Sequence, residues 1–479
     1  MEPMTDGPGP RREELEDVLR LIAKEAERYL ADLDRAPVRR AGADAAAESV
    51  GGDLPDRGVG ASGALAEILD RAEGLIGSSG PRYFHFVTGG VTPAALGADW
   101  LASTVDQNSG DWNGAPLTSQ LEVVAIRWLL QLFGLPEDWG GVLTTGATMA
   151  NVVGLAAARR WWGLRHGVDV DERGLAGLPP CPVFASGYLH PSDTKALAML
   201  GLGRGVARPL ARDAAGRLDL AALERELRAL DGAPAILIGS AGEVNAGDFD
   251  PIDAMADLAA EHGAWLHVDG AFGLFAGLSP RTRHLVEGVA RADSVIADGH
   301  KWLNVPYDCG YAFVRDPSLL PPIFALNAAY LPPADDPHPN FFSRGPESSR
   351  RARSLAVWAT LRAYGREGYR EMVEGHIDLA QRLAARVDAA PDLERLGEVP
   401  LNIVCFRFHP PGYPEDGLDE LNRRVGAALL EDGRVFFGST TYMGYAAFRP
   451  AIVNWRTRPE DVDLVADVVR ELGSRLVSP

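Results

Sequence analysis

Two stretches of the chain place charged residues at the ends of apolar runs. In WLHVDGAFG (265–273) such a run ends at Asp269 before a row of small residues. A carboxylate there is buried and needs a cationic partner to stay charged. About 30 residues on, SVIADGHKW places Lys301 just past a second apolar run, with His300 beside it and Asp298 two residues before His300. If the runs are neighbouring parallel strands, both charges project from one sheet edge. A lysine that can hold an aldehyde as a Schiff base, and an aspartate that can keep a pyridine nitrogen protonated, are what pyridoxal phosphate requires.

The cofactor's third need is a phosphate cradle. LTTGATMANVVGLAAARR, from Leu143, supplies one: a strand ends at Thr144–Thr145, and Gly146, Ala147 and Thr148 open a helix whose free N–H groups bind anions. Gly146 permits close backbone approach. FASGYLHPSDTKAL (184–197) again runs from strand into helix, with His190 at the turn, where an imidazole can stack on a flat ring and move protons. Singly, each feature has an ordinary reading: a helix cap, a tight turn, a structural histidine. Lys301 is harder to dismiss, because Lys24, Lys195 and Lys301 are the only lysines among 47 basic residues and arginine serves any purely electrostatic role. GLGRGVA (201–207) lacks dinucleotide-loop spacing, and no P-loop, G-x-S-x-G or H-E-x-x-H motif occurs. His262 reads as a cation at a helix C-terminus.

The elements that must position these residues are legible from periodicity. Apolar residues recur at three- and four-residue steps from Arg12 to Leu30, marking an amphipathic helix. Ala36 to Gly63 reads as a linker before a helix around Ala64–Ile76, with a boundary near Gly80. Short apolar runs then alternate with helical stretches: Gly141–Leu143, Pro182–Ala185, Ala235–Ile238, Trp265–Val268, Ser294–Ala297 and Gly310–Val314. That alternation predicts an α/β fold with a mostly parallel sheet covered by helices on both faces. An irregular segment from Leu326 to Arg351 is longer than most ordered connections, and a long helix starts at Ser354. The last third reads as strand (Leu401–Phe408), helix (Leu418–Glu431), strands (Val435–Gly438, Ala446–Ile452) and a closing helix from Pro459, a smaller α+β unit.

With 479 residues, 46% of them hydrophobic, the chain is long enough for two or three domains. A net charge of −19 argues against nucleic acid or anionic lipid as partners. Cys181, Cys309 and Cys405 form neither a disulfide framework nor a metal-ligand pattern, so no metal is expected and a reducing cytoplasm is. The acidic N-terminus has no signal-type run, and no stretch of about 18 apolar residues suggests a membrane span.

Taken together, HVDGAFG, DGHKW with the following NVPYDCG, and RRARSLAVWATLRAYG from Arg350 resemble the group II pyridoxal-phosphate-dependent amino-acid decarboxylases, the family of aromatic-amino-acid and glutamate decarboxylases. The resemblance runs from the N-terminal helix to NWRTRPEDVD (454–463). It implies the fold type I, aspartate-aminotransferase-like architecture in three parts: an N-terminal helical dimerisation segment (1–80), a large cofactor-binding α/β domain (81–355) and a small α+β domain (356–479). It implies a homodimer with its active site near the subunit interface. Lys301 would carry the cofactor, Asp269 would pair with the pyridine nitrogen, and His190 would stack on the ring and help position the substrate carboxylate. Gly146, Ala147, Thr148 and His300 would hold the phosphate, Asp298 falls where relatives often have Asn, and Ala271 would lie under the ring. The substrate is then an L-amino acid, released as its amine after loss of carbon dioxide.

PRYFHFVTGG (81–90) and DWNGAP (111–116) resemble the family's substrate-side loops. Tyr83, Phe84, Phe86, Thr88 and Trp112, with Phe341, Phe342 and Arg344, are the expected substrate pocket, suited to an aromatic or bulky aliphatic side chain; the same aromatics could equally be core, and His85 and the arginines leave an acidic side chain open. Two departures stand out. Gly242–Glu243–Val244 replaces a Gly-Thr-Thr run, so a hydroxyl toward the cofactor is missing or supplied by Asn245. No tyrosine lies between Tyr330 and Tyr364, where the family places a proton donor in the mobile loop (327–350); its loss is associated with aldehyde synthases, which release aldehyde, ammonia and peroxide. His338 or a water could replace it. Alternatives to simple decarboxylation are therefore oxidative deamination, or a cofactor-binding scaffold without turnover.

Overall fold

The structure is a computed structural model that describes residues 12, 14–326 and 337–477; residues 327–336, the start of the irregular segment, lie outside them. The N-terminal stretch forms α1 (Glu14–Asp32), α2 (Ala43–Glu48) and α3 (Gly60–Leu69). Helix α1 buries no residue fully and leaves Leu15 and Leu19 exposed. The expected helix over 64–76 is displaced: α3 ends at Leu69 and a single 3-10 turn, Ala72–Gly74, follows.

The central region follows as α4 (Pro93–Val105), α5 (Pro116–Phe133), β1 (Gly140–Thr144), α6 (Ala147–Arg165), α7 (Val170–Arg173), β2 (Val183–Ala185), α8 (Pro191–Met199), β3 (Ala207–Pro209), α9 (Leu220–Ala229), β4 (Ile236–Ser240), α10 (Ile252–His262), β5 (Trp265–Asp269), β6 (Ser294–Asp298), β7 (Gly310–Val314) and α11 (Leu320–Phe324). The seven strands form one sheet in the order β1-β7-β6-β5-β4-β2-β3. β3, β2, β4, β5 and β6 are mutually parallel, and β7 runs antiparallel to both β6 and β1. Strands β1 and β4 to β7 are buried at every position, which is why they read as unbroken apolar runs rather than alternating ones. Helix entries follow local chemistry: Thr92 caps α4 and Asp219 caps α9 by accepting N–H bonds from Ala95 and Ala222, while Pro93, Pro116 and Pro191 occupy first-turn positions that need no donor.

The remainder comprises α12 (Ser354–Ala389), β8 (Leu393–Arg395), β9 (Phe406–Phe408), α13 (Leu418–Asp432), β10 (Ser439–Tyr442), β11 (Tyr445–Phe448) and α14 (Pro459–Val477), with a second, antiparallel sheet ordered β10-β11-β9-β8. Helix α12 turns at Gly365, whose φ of 60° is left-handed. Three strand expectations shift here. Only the end of 401–408 joins the ladder. β10 begins at Ser439 because Phe436 pairs instead with the 82–84 backbone, through Phe84 N to Phe436 O (2.7 Å) and Phe436 N to Arg82 O (3.0 Å). β11 stops at Phe448, just before Pro450, which has no N–H to offer. The apolar core has two main parts, one around the large sheet and one between the small sheet, α13, α14 and the second half of α12.

Two buried polar arrangements fix the frame. Glu122 on α5 and Arg350, both 1% exposed at the side chain, form a two-pronged pair at 2.7 and 3.0 Å. Arg350 also donates to the carbonyls of Ser109 and Leu143 (2.8 Å each), and Glu122 accepts from Leu143 N–H. This pins the end of the irregular segment to α5 and β1. Replacing Glu122 by Gln leaves a buried guanidinium without its counter-charge and is expected to lower the unfolding free energy by roughly 3–5 kcal/mol, measured by urea denaturation.

Asp250 accepts from Ser240 N–H (2.8 Å) and Ser186 Oγ (2.9 Å), joining β4 and the end of β2. Burial pushes its carboxyl up to about 7 from 3.8. Between those values the folded state keeps a proton that the unfolded chain has lost, so this group's contribution to stability falls as pH rises, by about 1.4 kcal/mol per pH unit, and levels off on either side. Asp250→Asn removes that component. The difference in unfolding free energy between wild type and variant should therefore decline from about pH 4 to 7 and be flat above it.

Candidate active site

Beyond the carboxyl ends of β1, β4, β5 and β6 lies a cavity of about 390 Å³. Gly146, Ala147, Thr148, His190, Asp269, Ala271, Asp298, His300, Lys301 and Phe86 all line it. Asp269 ends β5 and Asp298 ends the parallel neighbour β6, with Asp269 opposite Ile296 in register, so both carboxylates emerge at the same edge, with Lys301 following three residues after Asp298. Lys301 Nζ lies 5.7 Å from the centre of the Phe272 ring and takes part in no ion pair among the described residues. Gly89 donates to His300 O (3.0 Å), and a Cβ there would lie 1.8 Å from Lys301 O, so only glycine lets the 85–89 segment lie against the lysine loop.

Asp269 is held from behind by neutral donors. Oδ1 accepts from Ala271 N–H (3.0 Å) and Oδ2 from Asn151 Nδ2 (2.9 Å). Asn151 Oδ1 meets His267 Nε2 (3.0 Å), His267 Nδ1 meets Ser294 Oγ (2.8 Å), and Ser294 Oγ accepts from Trp265 Nε1 (3.0 Å). Burial pulls His267 down to about 4, so it is neutral. Asn151 must donate to the carboxylate and hence accept from His267, which puts the His267 proton on Nε2.

The same logic sets His190. Asn151 Nδ2 also donates to Ser192 Oγ (3.2 Å), leaving the Ser192 hydroxyl to donate to His190 Nδ1 (2.6 Å), which accepts from Ser192 N–H as well (3.2 Å). Burial lowers the His190 pKa, with Asp269 opposing and Lys301 and Arg449 adding to the fall. The ring is therefore neutral with its proton on Nε2. Three residues on from His190, in the first turn of α8, Asp193 is fully buried, its pKa raised well above the ordinary value first by burial and then by Asp269.

Gly146 caps α6 with φ 150°, and a Cβ on it would come within 3.2 Å of His300 Cε1. The cradle is thus a glycine turn closed on its far side by His300, whose ring stacks on Tyr307 (4.1 Å between centres). Tyr307 reaches Thr88 Oγ1 at 2.9 Å, and burial raises its pKa, so the phenol keeps its proton. Phe86 and Val87, at the cavity edge, both have left-handed backbones (φ 54° and 61°). That is a strained state for a β-branched valine.

Several expected pocket residues lie elsewhere. Phe84 belongs to the smaller core part. Tyr83 stacks on Phe436 (5.3 Å), and Thr88 touches the cavity only through Tyr307. Trp112 stacks on His338 (4.7 Å), Phe341 is buried in the main core, Phe342 packs on Gly110, and the Arg344 guanidinium covers the Phe341 ring (5.4 Å). Phe341 and Phe342 are buried here, where Arg350 ties the end of the 341–350 segment to α5. Asn245 does not face the cavity; its Oδ1 accepts from Thr440 (2.7 Å), and Val244 takes the wall position.

Sequence reasoning missed Asn151, Tyr307 and Arg449. Arg449 lines the cavity just past β11, donates to Val244 O (3.0 Å), and is pulled below its ordinary pKa by burial, with Glu243 opposing. A lone arginine ending an apolar strand was the available signal, as was a lone asparagine on the buried face of α6.

The residues fit pyridoxal phosphate: a lysine without a counter-ion among the described residues, a carboxylate in the same cavity fixed by neutral donors, and a glycine-turn cradle. The pyridoxal-dependent decarboxylase conserved domain matches residues 71–409. The chain is 31% identical over 436 residues to the L-2,4-diaminobutyrate decarboxylase of Rhizobium meliloti (strain 1021), covering 88% of this chain and 84% of that protein. It is 29% identical over 403 residues to the aromatic-L-amino-acid decarboxylase of Bacillus atrophaeus, covering 83% and 82%. The crystal structure of Oryza sativa TDC with PLP and tryptamine superposes with a TM-score of 0.89 at 24% identity over 100% of both chains, which shows the shared fold type I architecture. On the matched domain and these relatives, the chain belongs to the pyridoxal-dependent decarboxylases, lyases that act on amino acids with pyridoxal phosphate.

Proposed function

We propose that this protein decarboxylates an L-amino acid with an aromatic or bulky apolar side chain to its amine. The observation that carries the reading is the meeting of Lys301, Asp269, His190 and Arg449 in one cavity walled by Phe86, Val87, Tyr188 and Val244. Bound through Lys301, pyridoxal phosphate supplies an electron-withdrawing ring that accepts the electron pair of the bond to the leaving carboxylate. Asp269 holds a negative charge toward the ring nitrogen, because its supporting donors are neutral and cannot compete as cations. His190 presents its Nε2–H to the cavity. Arg449 is the cation placed to orient the substrate carboxylate, and Ala147, Thr148 and His300 hold the phosphate end. A scaffold without turnover would have no need to keep these groups together.

The proton that replaces carbon dioxide needs a donor at the cavity. Tyr307 carries one, with Thr88 fixing its hydroxyl. This favours amine over aldehyde although no tyrosine lies between Tyr330 and Tyr364. Installing tyrosine at Phe341 or Phe342 would bury a hydroxyl in the core and so does not test the point.

The homodimer forms part of the same proposal. Leu15 and Leu19 on α1, Ile68 on α3, Trp100 and Leu101 on α4 and Leu117 on α5 are exposed, apolar side chains that a partner subunit would cover. Residues 1–80 would then clasp the partner, with 81–355 and 356–479 as the large and small units. Among the described residues no helix is long and apolar enough to cross a membrane, and the three cysteines are free and buried, which suits a reducing cytoplasm.

Incubating the cofactor-loaded protein in air with a panel of L-amino acids, and identifying products by mass spectrometry, is expected to give amine that depends on Lys301; unchanged product from Lys301→Ala would sink the reading. In the same assay Tyr307→Phe is expected to slow amine formation by roughly 10²-fold or more and to raise the aldehyde share. An unchanged amine-to-aldehyde ratio would remove Tyr307 as the donor.

A further inference from the structure

Asp298 was expected among the cofactor-binding residues, where relatives often have Asn, and its carboxylate lies where an anion would. Oδ2 accepts the Ala147 N–H at 3.1 Å, the first amide of α6. Oδ1 lies 2.9 Å from His300 Nδ1, but out of line, so that neither atom makes a hydrogen bond. The residue is 2% exposed, fixed by its own N–H to Ala271 O (2.9 Å), and a Cβ on Gly146 would sit 3.9 Å from Oδ2. The helix N-terminus, its positive end facing the cavity, is thus already bonded to an anion of this chain, and the imidazole that closes the cradle has that anion as its charge partner.

We propose that Asp298 competes with the cofactor phosphate for the first turn of α6, so that binding of pyridoxal phosphate is coupled to proton uptake by the Asp298–His300–phosphate cluster. The inference rests on the site reading above. A phosphate ester carries between one and two negative charges near neutral pH, and placing it beside a buried carboxylate brings like charges to within a few ångströms in a low-dielectric site. The other titratable groups facing Asp298 are Tyr307, Cys309 and Tyr311, and burial pushes all three upward. They are neutral and supply no compensating charge. His300, with Nδ1 2.9 Å from Asp298 Oδ1, is the basic group in contact. One proton taken up by the cluster relieves the repulsion, and an amide in place of the carboxylate relieves it without a proton.

The test is equilibrium binding of pyridoxal phosphate, and of pyridoxal without its phosphate, to wild type and Asp298→Asn between about pH 6 and 9, with proton uptake measured by calorimetry in buffers of different ionisation enthalpy. For wild type, phosphate-dependent affinity should fall as pH rises. Asp298→Asn should bind pyridoxal phosphate tighter at the alkaline end, on the order of tenfold, with a smaller proton uptake, and should bind pyridoxal as wild type does. Equal or weaker binding of pyridoxal phosphate by the variant, or an unchanged proton count, would overturn the inference. The wild-type calorimetry does not depend on the variant folding: binding without excess proton uptake over pyridoxal also overturns it. If wild type binds neither compound and Lys301→Ala changes nothing, the site reading itself fails, a separate result.

Discussion

A negative charge buried at the end of β5 constrains the rest of the site. Asp269 is only 8% exposed, and a carboxylate so placed is costly unless hydrogen-bonded. The chain meets this with a line of donors that begins at Trp265 Nε1 and passes through Ser294, His267 and Asn151. Each link has one available direction, because Trp265 can only donate and Asp269 can only accept. Ionising His267 would add a second proton and leave Ser294 without a place to donate. Burial prevents that, and so keeps Asp269 facing the cavity as the charged member.

The same asparagine serves two functional side chains. Through Ser192 it determines the His190 tautomer, and through its direct bond it supports Asp269. Asn151 lies on the first turns of α6, whose opening residues form the cradle, so ring, stacking and phosphate positions are referred to one rigid helix. That helix is buried along much of its length, which removes the freedom a loop-borne site would retain. The lysine loop is tied to this frame from the opposite side by Gly89 against Lys301 and by Thr88 bonded to Tyr307.

Legibility from sequence followed how local the determinants were. Strands β1, β2 and β4 to β7 came out of apolar runs, because burial on both faces makes the run continuous. Lys301, Asp269 and His190 stood out since each sits just beyond such a run. β3 was missed: an edge strand of three residues, Ala207–Pro209, partly or wholly exposed, leaves no apolar signature. The small sheet was blurred because its pairing depends on which distant segment takes Phe436. The aromatic residues at 341–342 were expected in the pocket from the resemblance of their loop to the family's, whereas a pair joining residues 122 and 350, far apart in sequence, ties that segment to α5. Arg449 was passed over for the opposite reason: its one local signal, an arginine ending an apolar strand, does not stand out among so many arginines until the fold brings it to the cavity.

Two aspartates end adjacent parallel strands at the same sheet edge, and their neighbours make them unlike. Asp269 is bonded by an asparagine and a backbone amide, neither of which can release a proton, so its charge is available to whatever lies across the cavity. Asp298 is bonded to a helix N-terminal amide and lies beside an imidazole, both groups that would otherwise bind a phosphate. Equivalent positions in the sheet thus yield one carboxylate that supports a ligand and one that a ligand must displace or neutralise. The distinction arises from what meets each strand end: Asn151 of α6 reaches Asp269, whereas the first amide of the same helix reaches Asp298.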